Sequence, residues 1–385
     1  MIPRKVKLRD VVEINPTAKV GHGVNEDVSF LAMADVSVCG HIETFQQRSL
    51  AEVRKGYTSF CEGDVILAKI TPCFENGKAA IVEGMPMKLG FGSTEFHVLR
   101  PSDAIDVRFL FHLIWNPGFR RIGSSRMTGS AGQKRVPTAY LADYEFVLPS
   151  LGEQKRIAAI LDKADSLRRK RQEAILLADD LLRATFFEMF GDPVTNNKHW
   201  PERAIAEIAV VTTGNTPSRQ IEAYYGDAIE WIKSDNINTP SHFLTKSREG
   251  LSAFGETVGR TVPAGSTLMT CIAGSPSCIG NVAMADRKIA FNQQINAVTP
   301  FSGVEPEFMY GLLLLSKQRI QASSTSSMKG MVSKGALEKV KLIWPPSEQQ
   351  ETFVKIFRQI QRMRFQMSKA DVSDLVDALQ SKLLT

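Results

Sequence analysis

The chain states the same pattern twice. Its second half repeats the order of turns, strands and helices of the first at a period of roughly 200 residues, so two similar modules are required rather than one large core. EGDVILAKI (62–70) and AGSTLMTCI (264–272) each read as a turn and a buried strand, with Gly63 and Gly265 at the same turn position. STEFHVLRP (93–101) matches NQQINAVTP (292–300), a polar start leading into an alternating strand that stops at proline. VRFLFHLIW (107–115) matches PEFMYGLLL (306–314), an apolar helix in both copies. Leu8 and Val11 are echoed by Ile205 and Ile208, which starts the second copy near Trp200.

Each copy ends alike, in FVLPSLGEQKRIAAILDKAD and in LIWPPSEQQETFVKIFRQIQ. A short strand meets proline, a glutamate suits the first turn of a helix, and apolar residues then recur at helical spacing. Ile157, Ile160, Leu161, Ala164 and Leu167 form one stripe; Phe353, Ile356, Phe357, Ile360 and Met363 form the other with the same intervals. The first helix is expected from Glu153 to about Phe190, roughly 57 Å long. Gly191, Asp192 and Pro193 stop it, and VTNNKHWPE is a polar connector. The second helix is expected from about Glu348 to near Leu384. Two such stripes in a duplicated chain are best buried against each other. The expected fold is α+β: two globular mixed α/β modules separated by two long antiparallel helices forming a coiled coil, with an internal pseudo-two-fold repeat. The boundaries are 1–150 for the first module, 151–192 for its helix, 193–346 for the second module and 347–385 for its helix.

Composition narrows the function by exclusion. Hydrophobic residues make up 43% and charged residues 23%, as in ordinary globular proteins. MIPRKVKLRD lacks the apolar core of a secretory signal, and no apolar run can span a bilayer. A cytoplasmic location and no membrane partner are expected. Five scattered cysteines suit free thiols and lack the paired spacing of a zinc site. There is no GxGxxG, no GxxxxGK[ST] phosphate loop, no Asn/Asp-Pro-Pro-aromatic methyltransferase motif, no Pro-Asp nuclease core, no HExxH and no GxSxG. His97 and His112 read as structural. No catalytic residue, cofactor or metal site is expected on this chain.

A net charge of +6 is a mild pointer to a polyanion. The polar loops differ between the copies, as they would if each reads its own target. GSSRMTGSAGQKRV (123–136) offers Arg126, Gln133, Lys134 and Arg135, of which arginine and glutamine fork onto guanine or adenine edges. The matching stretch (321–335) carries Lys329 and Lys334, better suited to phosphates. Lys78, Arg219 at the end of TTGNTPSR, Lys233 and Asn236 in KSDNIN, and Gln293 complete the candidate DNA contacts. Three readings stay open on the residues alone. A DNA reader loses affinity steeply with salt, a coiled-coil scaffold for protein-binding modules does not, and a nuclease or methyltransferase would turn over DNA by itself.

The doubled strand-proline-Glu-Gln-helix ending, with TTGNTPSR, WIKSDNI and LPSLGEQKRIAAILDKAD, resembles the specificity subunit of type I restriction–modification enzymes over the whole chain. The second copy departs from the pattern at Trp344-Pro345-Pro346-Ser347-Glu348. The resemblance implies two target-recognition domains, each binding one half of a split, asymmetric site on double-stranded DNA. It implies a helical spacer that docks two methyltransferase subunits, which bind S-adenosylmethionine and methylate adenine, and a motor-nuclease restriction subunit that cleaves. This chain would then supply the address and perform no chemistry.

Overall fold

The computed structural model describes residues 4–17, 26–130, 132–323 and 331–369. These residues form two compact units, 4–172 and Glu173–Lys369.

In the first unit, β1 (Arg4–Lys7) pairs antiparallel with β10 (Glu145–Leu148) and closes the module on itself. One four-stranded sheet has the order β2 (Val12–Ile14), β9 (Phe96–Pro101), β6 (Val65–Ala68), β7 (Ala79–Ile81). The other runs β4 (Gln46–Ser49), β3 (Asp27–Leu31), β8 (Gly90–Gly92), β5 (Thr58–Phe60), with β3 and β8 parallel. Side chains alternate across a strand, and β6 uses both faces. Val65 and Leu67 pack toward helix α1 (Val107–Trp115), whereas Ile66 and Ala68 pack with Leu31 and Phe60 of the second sheet. That two-sided burial is why β6 reads as an unbroken apolar run.

The second unit repeats this strand for strand. β11 (Glu202–Ala204) pairs with β20 (Lys341–Ile343). The sheets run β12 (Ala209–Thr213), β19 (Ile295–Pro300), β16 (Thr267–Thr270), β17 (Val282–Met284), and β14 (Gly250–Leu251), β13 (Tyr225–Ile232), β18 (Ile289–Phe291), β15 (Thr261–Val262). Gly63 (φ +83°) and Gly265 (φ +87°) both take the left-handed conformation that the repeated turn needs.

After α2 (Pro117–Ser125), α3 spans Leu151–Phe190 and stops where Gly191 turns with φ +72°. The connector that follows is a built cap. Lys198 donates to the carbonyls of Glu188 and Met189, and the Trp200 indole donates to that of Phe190. In the first unit α3 buries Ile157, Ala158 and Leu161 in the module core. In the second, α5 (Ser347–Lys369) does the equivalent with Phe353, Val354 and Phe357, packed against α4 (Pro306–Leu315). There α5 also lies antiparallel to the end of α3: Phe186 and Phe190 meet Phe353 at 5.3 and 5.8 Å, while Asp179, earlier in α3, pairs with Arg364, later in α5, at 3.0 Å. The remainder of the expected second helix lies outside the described residues.

The two modules differ where a helix meets its own long helix. Arg108 of α1 pairs with Asp162 at 3.2 Å, and His112 bonds the same carboxylate at 2.8 Å. At the matching positions of the second unit the signs are reversed, with Glu307 of α4 holding Arg358 at 2.6 Å and Glu305 joining at 3.0 Å.

Candidate nucleic-acid interface

Each module is layered, with helices on one face of the first sheet and the second sheet on the other. The far face of the second sheet carries a small apolar cluster, Val28, Phe30, Leu50, Val53 and Phe91 in the first module and Ile229, Trp231, Leu251 and Ala290 in the second, each beside a short helix (Leu50–Val53 and Ala253–Val258). Cations cover both clusters. The Arg219 guanidinium lies 4.3 Å from the Tyr225 ring centroid and 5.2 Å from that of Trp231, and Lys233 lies 5.2 Å from Trp231. Glu249 accepts from Arg219 and from Lys233, each at 2.6 Å. Hydrogen bonds from Lys233 and then Arg219 hold the Glu249 carboxyl below its ordinary range. Two cations around one carboxylate leave the face positive.

The candidates chosen from sequence fall into several settings. Arg219 and Lys233 come together as described. Asn236 does not join them; it is buried, accepting from the Lys233 backbone N–H at 3.0 Å and donating to the Lys246 carbonyl at 3.1 Å. Its amide fixes the turn after β13. Gln293 is exposed and accepts from Thr216. Lys334 is an exposed first residue of a short helix, 3.6 Å from Glu338. Lys329 lies outside the described residues.

In the first module, Arg126 caps α2, exposed, 5.9 Å from the Tyr140 ring. Gln133 and Lys134 are exposed in the turn between Thr128 and Arg135, which bridge each other antiparallel. Arg135 forks onto Glu95 with bonds of 2.8 and 2.9 Å, and that pairing lowers the Glu95 carboxyl from its usual range. Lys78 donates to the Met33 carbonyl at 2.9 Å. The stretch 123–136 is less of a loop than its glycines suggest. Gly123 sits inside α2, buried, where an added Cβ would come within 2.6 Å of Phe74 and 2.9 Å of Tyr140. It is glycine for packing, not for approach to phosphate. Among the described residues, no cluster of His, Cys, Asp and Glu could hold a metal ion, and no helix is long and apolar enough to cross a membrane.

The family model of the type I restriction modification DNA specificity domain matches this chain twice, over residues 4–177 and 197–372. The chain belongs to this family. Each match takes in one module, and the first ends at residue 177, part-way along α3.

Among relatives of this specificity family, the type I restriction enzyme EcoAI specificity subunit of Escherichia coli is 43% identical over 152 residues, 39% of this chain and 26% of that protein. The EcoEI specificity subunit of the same species is 40% identical over 160 residues, 41% of this chain and 27% of that protein. The chain thus spans about a quarter of the length of these relatives. A putative type I restriction enzyme MjaX specificity subunit of Methanocaldococcus jannaschii is 23% identical over 344 residues, 85% of this chain and 77% of that protein. The fold is shared with the type I restriction–modification S subunit from M. genitalium (TM-score 0.59, 13% identity, 99% of this chain and 96% of that one). It is also shared with a chain from a structure concerned with assembly and conformational transition of a type I system (TM-score 0.57, 18% identity, 99% and 97%).

Sequence reading missed Arg48. It stands over the Phe30 ring at 3.7 Å from the centroid and donates to Gln46 at 3.2 Å. A lone arginine in QQRS carries no signal; only the β3–β4 register, Val28 opposite Arg48 and Phe30 opposite Gln46, brings it there. The indole of Trp231, within the WIKSDNI motif, likewise serves as a platform only through contacts made across the sheet.

Proposed function

We propose that this chain binds double-stranded DNA sequence-specifically as the address subunit of a type I restriction–modification complex and carries out no chemistry itself. Each module reads one half of a split, asymmetric site. The long helices act as a spacer and as the dock for two methyltransferase subunits, which bring S-adenosylmethionine, and for a motor-nuclease restriction subunit. The complex works in the cytoplasm.

One observation carries this reading: two modules share strand order and register while presenting different side chains on the repeated scaffold. Arg126, Lys134 and Arg135 of the first module have no like-for-like partners in the second, so two copies of one frame suit two different targets. The test is single-molecule sequencing of methylated adenines in the host genome with and without this gene. Loss of one two-part, asymmetric motif with a fixed gap is expected on deletion. An unchanged methylation pattern refutes the reading.

A further inference from the structure

The outer faces of the two modules carry the same device built from different parts of the chain. Phe30 and Trp231 each stand two residues ahead of a short turn closed in the same way, Asp35 accepting from the Ala32 N–H at 3.0 Å and Asn236 from the Lys233 N–H at 3.0 Å. Their strands pair in parallel with equivalent neighbours, Phe30 with Phe91 and Trp231 with Ala290. The two rings therefore occupy one position of the repeated scaffold.

Both rings are buried and both lie under a guanidinium. A second aromatic stands edge-on, Tyr57 at 5.1 Å from Phe30 and Tyr225 at 6.0 Å from Trp231. An acceptor braces each arginine from the same side: Gln46 pairs with Phe30 in the ladder, and the Glu249 carbonyl accepts from the Trp231 N–H at 3.1 Å. Yet the arginines come from different places. Arg48 lies on β4, whereas Arg219 lies in the loop ahead of β13. Duplication alone does not produce that; the scaffold position keeps the stack while the chain supplies it anew.

We propose that Arg48 and Arg219 are equivalent base-reading residues, each presenting a pre-oriented fork to a base edge with two adjacent acceptors, as guanine offers in the major groove. The proposal rests on the DNA-reading function above. A guanidinium has five N–H donors, and among the described bonds each of these arginines uses one on its brace. The stack fixes the plane of the fork, so little side-chain freedom is lost on binding. The brace occupies one edge of each fork and leaves the other donors free. Glu249, 2.6 Å from Arg219, offsets part of the charge that would draw a phosphate, while at Arg48 the neutral Gln46 holds the fork by geometry alone; a base edge with two adjacent acceptors matches the remaining donors in both.

The test is selection of a random-sequence duplex DNA library on the purified full chain, followed by sequencing, for the wild type and for Arg48→Ala, Arg48→Lys, Arg219→Ala and Arg219→Lys. The Arg48 variants are expected to flatten preference at one G·C position of one half-site, by roughly five- to hundredfold, with the other half intact. The Arg219 variants are expected to do the same in the opposite half. Lysine keeps the charge and loses the fork, so a lysine variant that keeps the full motif overturns base reading in favour of a phosphate contact. Motifs unchanged in all four variants reduce the stacks to packing. If Arg48→Ala unfolds its module, the whole half-motif vanishes rather than one position, and Arg48→Lys decides. A wild-type chain that selects no motif refutes the DNA-reading function itself.

Discussion

The Glu-Gln pair that opens both long helices makes unequal use of its glutamine, and this gives a measurable asymmetry. Gln154 is fully buried and works at both ends of its amide. Its oxygen accepts from the Asp106 N–H at 2.8 Å, and its nitrogen donates to the carbonyls of Ala104 at 3.1 Å and Pro149 at 2.9 Å. It thus knots the turn ahead of α1, the end of β10 and the start of α3. Gln350, its counterpart, is 5% exposed and among the described bonds donates to the Pro345 carbonyl at 2.8 Å. Gln154→Ala strands one N–H and two carbonyls, those of half-buried Asp106, exposed Ala104 and half-buried Pro149. At about 1–3 kcal/mol for each buried group left unmatched, discounted because water reaches the Ala104 carbonyl and part of the other two groups, the cost is about 2–3 kcal/mol. Gln350→Ala strands one carbonyl and costs about 1–2 kcal/mol. Two units need not unfold together, so one global midpoint is a poor readout. Hydrogen exchange read peptide by peptide separates them: Gln154→Ala raises exchange over residues 96–115 and 145–165, and Gln350→Ala acts weakly over the matching segments of the second unit. Equal protection losses, or a larger loss for Gln350→Ala, refute the reasoning.

Two further outcomes are expected. Gly214→Ala would place a Cβ 2.1 Å from the Asn292 carbonyl oxygen and 2.5 Å from that of Phe291, both backbone, and overpacking of this kind costs about 3 kcal/mol. Gly335→Ala, with nothing within 4 Å, should be neutral or gain up to about 1 kcal/mol; thermal melting of both variants checks the contrast. Stability should also fall on mild acidification. Burial first of all holds the imidazoles of His97 and His242 below their usual 6.5, beside Lys69 and Glu95 in one case and Asp179, Arg364 and Arg183 in the other. The unfolded chain takes up protons below pH 6.5 that the folded one refuses, so stability is level above that value and declines beneath it. The decline is at most about 1.4 kcal/mol per pH unit for each imidazole, until the folded-state pKa is reached. Urea midpoints between pH 7.5 and 5.5 should drop in the wild type and drop less in a His97→Gln, His242→Gln variant; identical slopes refute the assignment.

The fold was legible because its signals are local. The turn glycines, the strands ending at Pro101 and Pro300, and the stripes from Ile157 and Phe353 are each written within a dozen residues; all appear where expected except the last stripe members, Leu167 and Met363, which are exposed because the module core ends a turn before them. The candidate interface was only partly legible because its partners are distant in sequence. Arg135 meets Glu95 across 40 residues and Arg219 meets Glu249 across 30, and nothing in either neighbourhood announces the pairing. Asn236 reads like a recognition side chain and is a turn lock; Gly123 reads like a loop and is a packing contact. Polar residue type indicates what a side chain can bond, and only register decides with whom.

The reversed ion pairs beneath the two modules bear on how such genes can be shuffled. A crossover that moves a module together with its closing helix carries Arg108 with Asp162, or Glu307 with Arg358, and keeps each contact neutral. A crossover falling between the two partners instead sets Arg108 against Arg358 and Glu307 against Asp162, and leaves His112 without its carboxylate. The polarity thus marks a seam after each long helix, where a module exchanged together with its own helix keeps its ion pairs.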